Sequence, residues 1–236
     1  MIFECFTPGI ASILANAGAQ FVIFDMEHAG LGFEQLKWLN ASCRGLPVTP
    51  MVRVPRNQYT YIARALDLGA RGIMVPMVES AQEAAAIVAS CWYPPKGRRG
   101  AAFGFAQCDY VQGEVVLSMQ RYNERTLIIA QIETERGLAE LDGIAATPGI
   151  DVLWLGHFDL SNFLGIPAAF THPAFDAAFH GIAQSASRHG KCAGFMVSSP
   201  AWVRRAQQAG YRMLAAGTDT ALLQEGFGGL IGAISL

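Results

Sequence analysis

The sequence is short of charge, and shorter still of lysine. Charged residues make up 15% of the 236, hydrophobic ones 52%, and the formal net charge is −2. So weakly charged a chain, with a pI near 6.2, lacks the basic face that nucleic-acid binding needs. It also lacks any apolar run near the roughly 20 residues that cross a bilayer. The first ten residues, MIFECFTPGI, have neither the basic n-region nor the long apolar h-region of a secretory signal. The chain opens inside an apolar, strand-like run, as it would if a segment upstream were missing. The cysteines are odd in number (Cys5, Cys43, Cys91, Cys108, Cys192) and form no CxxC pair. That excludes a disulfide framework and points to reduced thiols and a cytoplasmic setting. What is present is enough apolar material for one large core, with no linker or shift in composition. One domain spanning residues 1–236 is the expectation.

Short apolar runs alternate with helical stretches, and the punctuation repeats. Ala17-Gly18-Ala19-Gln20 precedes FVIFD, Leu68-Gly69-Ala70-Arg71 precedes GIMVP, and Ala209-Gly210-Tyr211-Arg212 precedes MLAAG. Each reads as a helix closed by glycine and followed by a strand. Thr7-Pro8 and Ser199-Pro200 read as helix starts with a capping hydroxyl, and Ser80 with Glu83 as a capping box. Strands are expected at 2–6, 21–25, 49–54, 72–76, 127–133, 152–156, 192–196 and 213–217. Most are continuously apolar, as parallel strands covered on both faces are. Eight such βα units predict an α/β fold of the TIM (β/α)8 barrel type. A doubly wound open sheet is the rival, but no GxGxxG follows the first strand. The one long irregular stretch runs from Tyr93 to Gln112.

In a TIM barrel the chemistry sits at the C-terminal ends of the strands, and the sparse polar residues gather there. Asp25-Met26-Glu27-His28, Arg53, Gln131-Ile132-Glu133 and Gly156-His157-Phe158-Asp159 all fall at expected strand ends. Glu133 and Asp159 have two readings. They hold a hard divalent ion such as Mg²⁺ or Mn²⁺, with Co²⁺ a third candidate, or they cap the turns that follow them. His28 is a general acid or base oriented by Asp25, or a structural histidine. Arg53 stabilises an oxyanion, or makes a rim salt bridge. The lysines are Lys37, Lys96 and Lys191, none at a strand's C-terminal end. Imine chemistry is therefore disfavoured, and a metal Lewis acid is the natural substitute.

FVIFDMEHAG, MVRVP, GIMVPMVES, WYPPKGRRG, QIETERGLAELDGIAATPGIDVLWLGHFDLSNFLGIP and GKCAGFMVSS with GTDT resemble, in order and spacing, the HpcH/HpaI family of metal-dependent aldolases. The resemblance runs through nearly the whole chain. It implies a barrel that makes or cleaves 4-hydroxy-2-oxo acids through a pyruvate or hydroxypyruvate enolate, with a 2-oxo acid and an aldehyde as partners. It implies Glu133 and Asp159 as metal ligands and Gln131 lining the same site. His28 would be the base with Asp25 as its partner, and Arg53 would contact the keto oxygen. Gly156, Phe158 and Asp159 would offer backbone amides to the substrate carboxylate, with Glu27 in a supporting role. It also implies a homotrimer or homohexamer, often with helix exchange between subunits.

This chain departs from the family pattern in three places. His157 replaces a usual proline, and Ala106-Gln107-Cys108 stands where many members carry an arginine. The late start and early stop put the usual helix exchange in question. The aldehyde is expected to face the Phe103–Tyr110 loop. Alternative readings are oxaloacetate decarboxylation through the same enolate and an acyl-CoA lyase, for which Arg98 and Arg99 are the only concentrated basic pair. A non-catalytic oxo-acid-binding barrel would have lost a metal carboxylate, the histidine or the arginine, and all are present.

Overall fold

The computed structural model describes residues 1–234. Seven strands form one parallel sheet in sequential order: β1 (Phe21–Asp25), β2 (Thr49–Arg53), β3 (Gly72–Val75), β4 (Leu127–Ile132), β5 (Val152–Leu155), β6 (Cys192–Val197) and β7 (Tyr211–Ala216). The helices between them are α1 (Ile10–Asn16), α2 (Phe33–Ser42), α3 (Tyr59–Asp67), α4 (Ala81–Cys91), α5 (Val115–Arg125), α6 (Glu135–Ala139), α7 (Leu141–Ala146), α8 (His157–Phe163), α9 (Pro173–Arg188) and α10 (Pro200–Ala209). The last is α11 (Asp219–Ala233).

The strand expected at 2–6 is a single bridge, Ile2 to Phe24. The reason lies in Asp219, whose carboxylate accepts the N–H groups of Phe3, Glu4 and Cys5 at 3.0, 2.9 and 2.7 Å. Those donors are withdrawn from any ladder, so the chain turns away after Ile2. The bridge still joins the sheet's two edges. Ile2 bonds Ile23 and Asp25, while Met1 reaches the Gly217 carbonyl and the Asp219 N–H. The barrel is thus seven strands closed by a two-residue seam.

Side chains alternate across each strand, which divides the core in two. Ile23, Met51, Met74, Ile129, Val152 and Trp154 fill the barrel interior. The opposite faces pack under the helices in the main core, which includes Phe24, Val52, Ile73, Leu153 and Phe195. Trp154 is the largest interior side chain, and it fits because β6 offers Gly194 opposite. A Cβ there would collide with the Trp154 ring.

The three glycine punctuation marks hold: Gly18, Gly69 and Gly210 are left-handed, at φ 88°, 101° and 99°. Ser199 caps α10 as expected, accepting the Trp202 N–H. Two helix starts differ. The α1 helix begins at Ile10 behind Gly9, because Pro8-Gly9 forms the preceding turn, closed by the Ile10 N–H on the Thr7 carbonyl. The capping box at α4 is half built. Ser80 accepts the Glu83 N–H, but the Glu83 carboxylate reaches the N–H of Glu79 and not of Ser80.

The Tyr93–Gln112 stretch follows α4, which runs back from the strands' C-terminal ends, so it lies on the N-terminal face of the barrel. It is pinned there by Asp109 to Arg44 at 2.7 Å and to Arg71 at 3.4 Å, and by Phe103 stacked on Tyr122. This corrects the expectation for the aldehyde. Within one chain, Phe103–Tyr110 sits at the end of the barrel opposite the polar strand ends.

Candidate active site

The inward-facing columns of four strands, β1, β2, β4 and β5, end in polar or minimal residues by the same two-residue period. Ile23 leads to Asp25, Met51 to Arg53, Ile129 to Gln131 and then Glu133, and Trp154 to Gly156. Parallel register brings these columns together. Asp25 is the direct partner of Arg53 across β1 and β2, and Gln131 of Trp154 across β4 and β5. Asp25, Arg53, Gln131 and Glu133 are all buried, at 0%, 6%, 2% and 1% exposure. Such groups stay buried only when paired.

Arg53 is held as a fork. Its Nε pairs with Asp25 Oδ1, and Nη1 lies 3.1 Å from Glu27 Oε2. Among the described residues Nη2 has no partner, which leaves a charged donor for a ligand. The second oxygen of Asp25 accepts the backbone N–H of His28 at 2.7 Å. Asp25 therefore orients the main chain and Arg53, and not the imidazole as expected. The carboxylate that faces the ring is Glu27, 3.6 Å from His28 Nε2. His28 itself is largely exposed at the rim.

Glu133 is gripped from two sides. Oε1 accepts the Met77 N–H at 2.8 Å, and Oε2 accepts the Gln131 side-chain amide. Met77 is a non-glycine residue at φ 53°, so strain is accepted here to aim one backbone donor. Helix α6 is capped by Thr134, not by Glu133, and no hydrogen bond from the described residues reaches the Asp159 carboxylate. The capping alternatives for both acids therefore fall away. Gly156 makes room for the arrangement, since a Cβ would strike Glu133 Oε2.

The electrostatics are unbalanced. Burial pushes the Glu133 carboxyl upward, opposed by the Gln131 and Met77 hydrogen bonds, and Asp159 pushes it further. Glu27 is raised to about 7, first by burial and then, against the pull of Arg53, by Glu133, Asp25 and Asp159. Glu27 Oε2 accepts no hydrogen bond although buried. Asp25 and Glu27 pair with Arg53, and Glu133 and Asp159 add negative charge beside them. Among the described residues no three His, Cys, Asp or Glu side chains form a complete ligand set. Oxygen donors, surplus negative charge and an incomplete protein shell fit a hard divalent cation that keeps waters for substrate to displace.

His157 turns away from this cluster. Its ring packs against Phe158, Phe170 and Phe195, with centroids 4.5, 5.3 and 5.3 Å apart. Burial lowers its pKa to about 4, against the pull of Asp159, so the ring is neutral at pH 7. Phe158 is exposed beside it. The N–H groups of His157, Phe158 and Asp159 belong to the first turn of α8, where helices leave donors without intrahelical partners. Sequence reasoning undervalued Glu27, although it extends the Ile23–Asp25 column by one more step of two. Nothing in residue type signals the left-handed Met77.

Comparison with known proteins gives a consistent picture. A family model described as HpcH/HpaI aldolase/citrate lyase matches residues 1–225. A hydroxypyruvate/pyruvate aldolase of Chromohalobacter salexigens is 35% identical over 219 residues, covering 91% of this chain and 84% of that protein. A 5-keto-4-deoxy-D-glucarate aldolase of Shigella boydii serotype 18 is 34% identical over 212 residues, covering 90% and 82%. The crystal structure of an HpcH/HpaI aldolase from Desulfitobacterium hafniense DCB-2 superposes with a TM-score of 0.95 at 31% identity, covering 99% of this chain and 90% of that one.

Proposed function

The chain belongs to the HpcH/HpaI aldolase/citrate lyase family, and from that premise we propose that it is a class II aldolase acting on 4-hydroxy-2-oxo acids, with pyruvate or hydroxypyruvate as the oxo-acid half. It is a carbon–carbon lyase. The observation that carries the reading is the surplus of carboxylates near Arg53, Glu133 and Asp159 among them.

A divalent cation on Glu133 and Asp159, Mg²⁺ or Mn²⁺, would polarise the 2-oxo group and stabilise the enolate. Arg53 donates its unpaired Nη2 to the developing oxyanion, and Asp25 and Glu27 keep the guanidinium from swinging away. The first-turn amides of α8, with Phe158 and Asp159 among them, receive the C1 carboxylate, with Gly156 at the helix's N-cap. Gln131 fixes Glu133. His28, exposed at the rim with Glu27 beside it, takes the C4 hydroxyl proton. The C3–C4 bond then breaks, its electron pair passes into the enolate, C4 leaves as the aldehyde, and a proton returned to C3 completes the oxo acid. The site supports the planar enolate better than the ketone, and that difference is what accelerates a reaction.

The acyl-CoA alternative loses its basis. Arg99 is buried, paired with Asp67 and stacked on Tyr93, on the face away from the site. Oxaloacetate decarboxylation needs Arg53 and the metal but no base at the rim. Comparing the two activities in His28→Ala tests the assignment. Aldol cleavage should fall by about 10²–10⁴-fold, and equal loss of both activities would contradict the role of His28.

Subunit association belongs to the same reading. Helix α11 leaves Leu222, Phe227, Leu230 and Ile231 exposed, beside a groove of about 680 Å³ lined by Ile10, Ile13 and Leu14. Apolar surface of this kind marks an interaction site, which favours self-association, with the trimer or hexamer of the family as the proposed form. Light scattering that gave a monomer would contradict it. Among the described residues no helix is long and apolar enough to cross a membrane.

A further inference from the structure

At the end of the barrel opposite the candidate active site lies a second polar cavity, of about 200 Å³. It is enclosed by the turn after α2, the first residues of β2, the Gly69–Arg71 approach to β3 and the turn from Ala106 to Asp109. Its charge is lopsided. Arg44 and Arg71 share the single carboxylate of Asp109, at 2.7 and 3.4 Å. Arg125 is not part of the lining, and its Nη2 donates to the Gln107 carbonyl. Two guanidiniums of the lining thus face one acid.

Its hydrogen bonding is lopsided too. Asn40 and Gln107 line the cavity at 3% and 4% exposure, and their side-chain oxygens accept no hydrogen bond. Their amide nitrogens are committed elsewhere, to the carbonyls of Leu68 and Ala102. Those commitments fix which end of each amide is left over. Asp109 and Tyr110 are consecutive left-handed non-glycine residues, at φ 51° and 62°, and Tyr110 carries the Arg44 guanidinium on its ring at 5.1 Å. Guanidinium donors without enough acid and buried acceptors without donors stand within one small space.

We propose that this cavity binds a small carboxylate that bears a neighbouring hydroxyl or ammonium group. The carboxylate bridges Arg44 and Arg71, and the neighbouring donor serves Asn40 Oδ1 or Gln107 Oε1. The volume equals roughly seven waters at about 30 Å³ each, which suits a three-carbon hydroxy or amino acid. Asp109 becomes a second acceptor for the ligand's donor once the carboxylate takes up its guanidinium partners.

The test uses the full chain carrying Arg53→Ala, which removes the guanidinium at the mouth. Isothermal titration with D-glycerate and with L-serine should give a Kd on the order of 1 mM for at least one of them. Propionate and sulfate, which lack the donor, should bind about tenfold more weakly. Adding Arg71→Ala, or Arg44→Ala should the first variant misfold, should weaken binding by about tenfold or more. No binding by either donor-bearing acid would overturn the proposal, leaving a cavity filled by water alone. Equal binding by propionate or sulfate, or binding indifferent to both arginine variants, would overturn it as well. Aldol turnover with Arg53 intact is read separately and should be unchanged by Arg71→Ala, so failure here leaves the aldolase reading standing.

Discussion

Gly156 and Glu133 compete for one volume: a Cβ at position 156 would collide with Glu133 Oε2 and come within 2.9 Å of Glu133 Cβ. The carboxylate can lie over the end of β5 only because that residue has no side chain. Gly156→Ala should therefore displace the carboxylate and lower kcat by about 10²-fold, with a stability loss of only about 1–3 kcal/mol. Steady-state kinetics alongside urea unfolding separates the two effects. Full activity in a folded variant would contradict the placement of Glu133.

Glu27 gives a metal readout independent of turnover. In the metal-free protein burial and three neighbouring carboxylates hold it near 7, against the pull of Arg53. A raised carboxylate pKa contributes stability that is complete below the unfolded value of 4.5 and lost as pH rises through about 7. A cation on Glu133 and Asp159 favours the ionised form, so Mg²⁺ should shift the Glu27 titration downward. Carboxyl infrared titration with and without Mg²⁺ checks this, and no shift at saturating metal would count against a cation there.

Trp154 fills the barrel interior against Gly194. Trp154→Ala should cost about 3–5 kcal/mol through the cavity it leaves. Gly194→Ala should cost about 1–3 kcal/mol through overpacking. Denaturant midpoints measure both. A neutral Gly194→Ala would mean that the ring is free to move aside.

Asp219 ties the amino-terminal segment to the start of α11. Burial pushes its pKa up, but the Cys5, Glu4 and Phe3 N–H donors outweigh that and hold it below the ordinary 3.8. Its contribution is therefore present above the unfolded value and lost as pH falls through the folded one. Asp219→Asn should flatten that acid dependence, and hydrogen exchange at Phe3, Glu4 and Cys5 should accelerate. Unchanged protection at those amides would contradict the tether.

The sequence was most informative where chemistry and periodicity coincide. Parallel strands buried on both faces must be apolar, so Asp25, Arg53 and Glu133 at their ends stand out against their columns. Glycine punctuation at Gly69 and Gly210 was legible because only a left-handed turn explains it there. The first strand misled, because Ile2 to Phe6 has strand composition while the amides of Phe3, Glu4 and Cys5 go to Asp219, 214 to 216 residues away. The partner of His28 misled for a similar reason. Spacing placed Asp25 near it, but register committed that carboxylate to Arg53. The 93–112 stretch could not be assigned to a face until α4 had carried the chain back across the barrel. Met77 was illegible, since a strained φ leaves no mark in residue type.

Glu133 and Asp159 holding one divalent cation for the enolate is the central claim, and exchange of the pyruvate methyl protons with deuterium tests it without any aldehyde. Proton NMR of pyruvate in D₂O should show exchange that requires Mn²⁺ or Mg²⁺, stops with EDTA, and falls by about 10²-fold or more in Glu133→Gln and Asp159→Asn. Exchange that persists in EDTA, or survives in both variants, would contradict it.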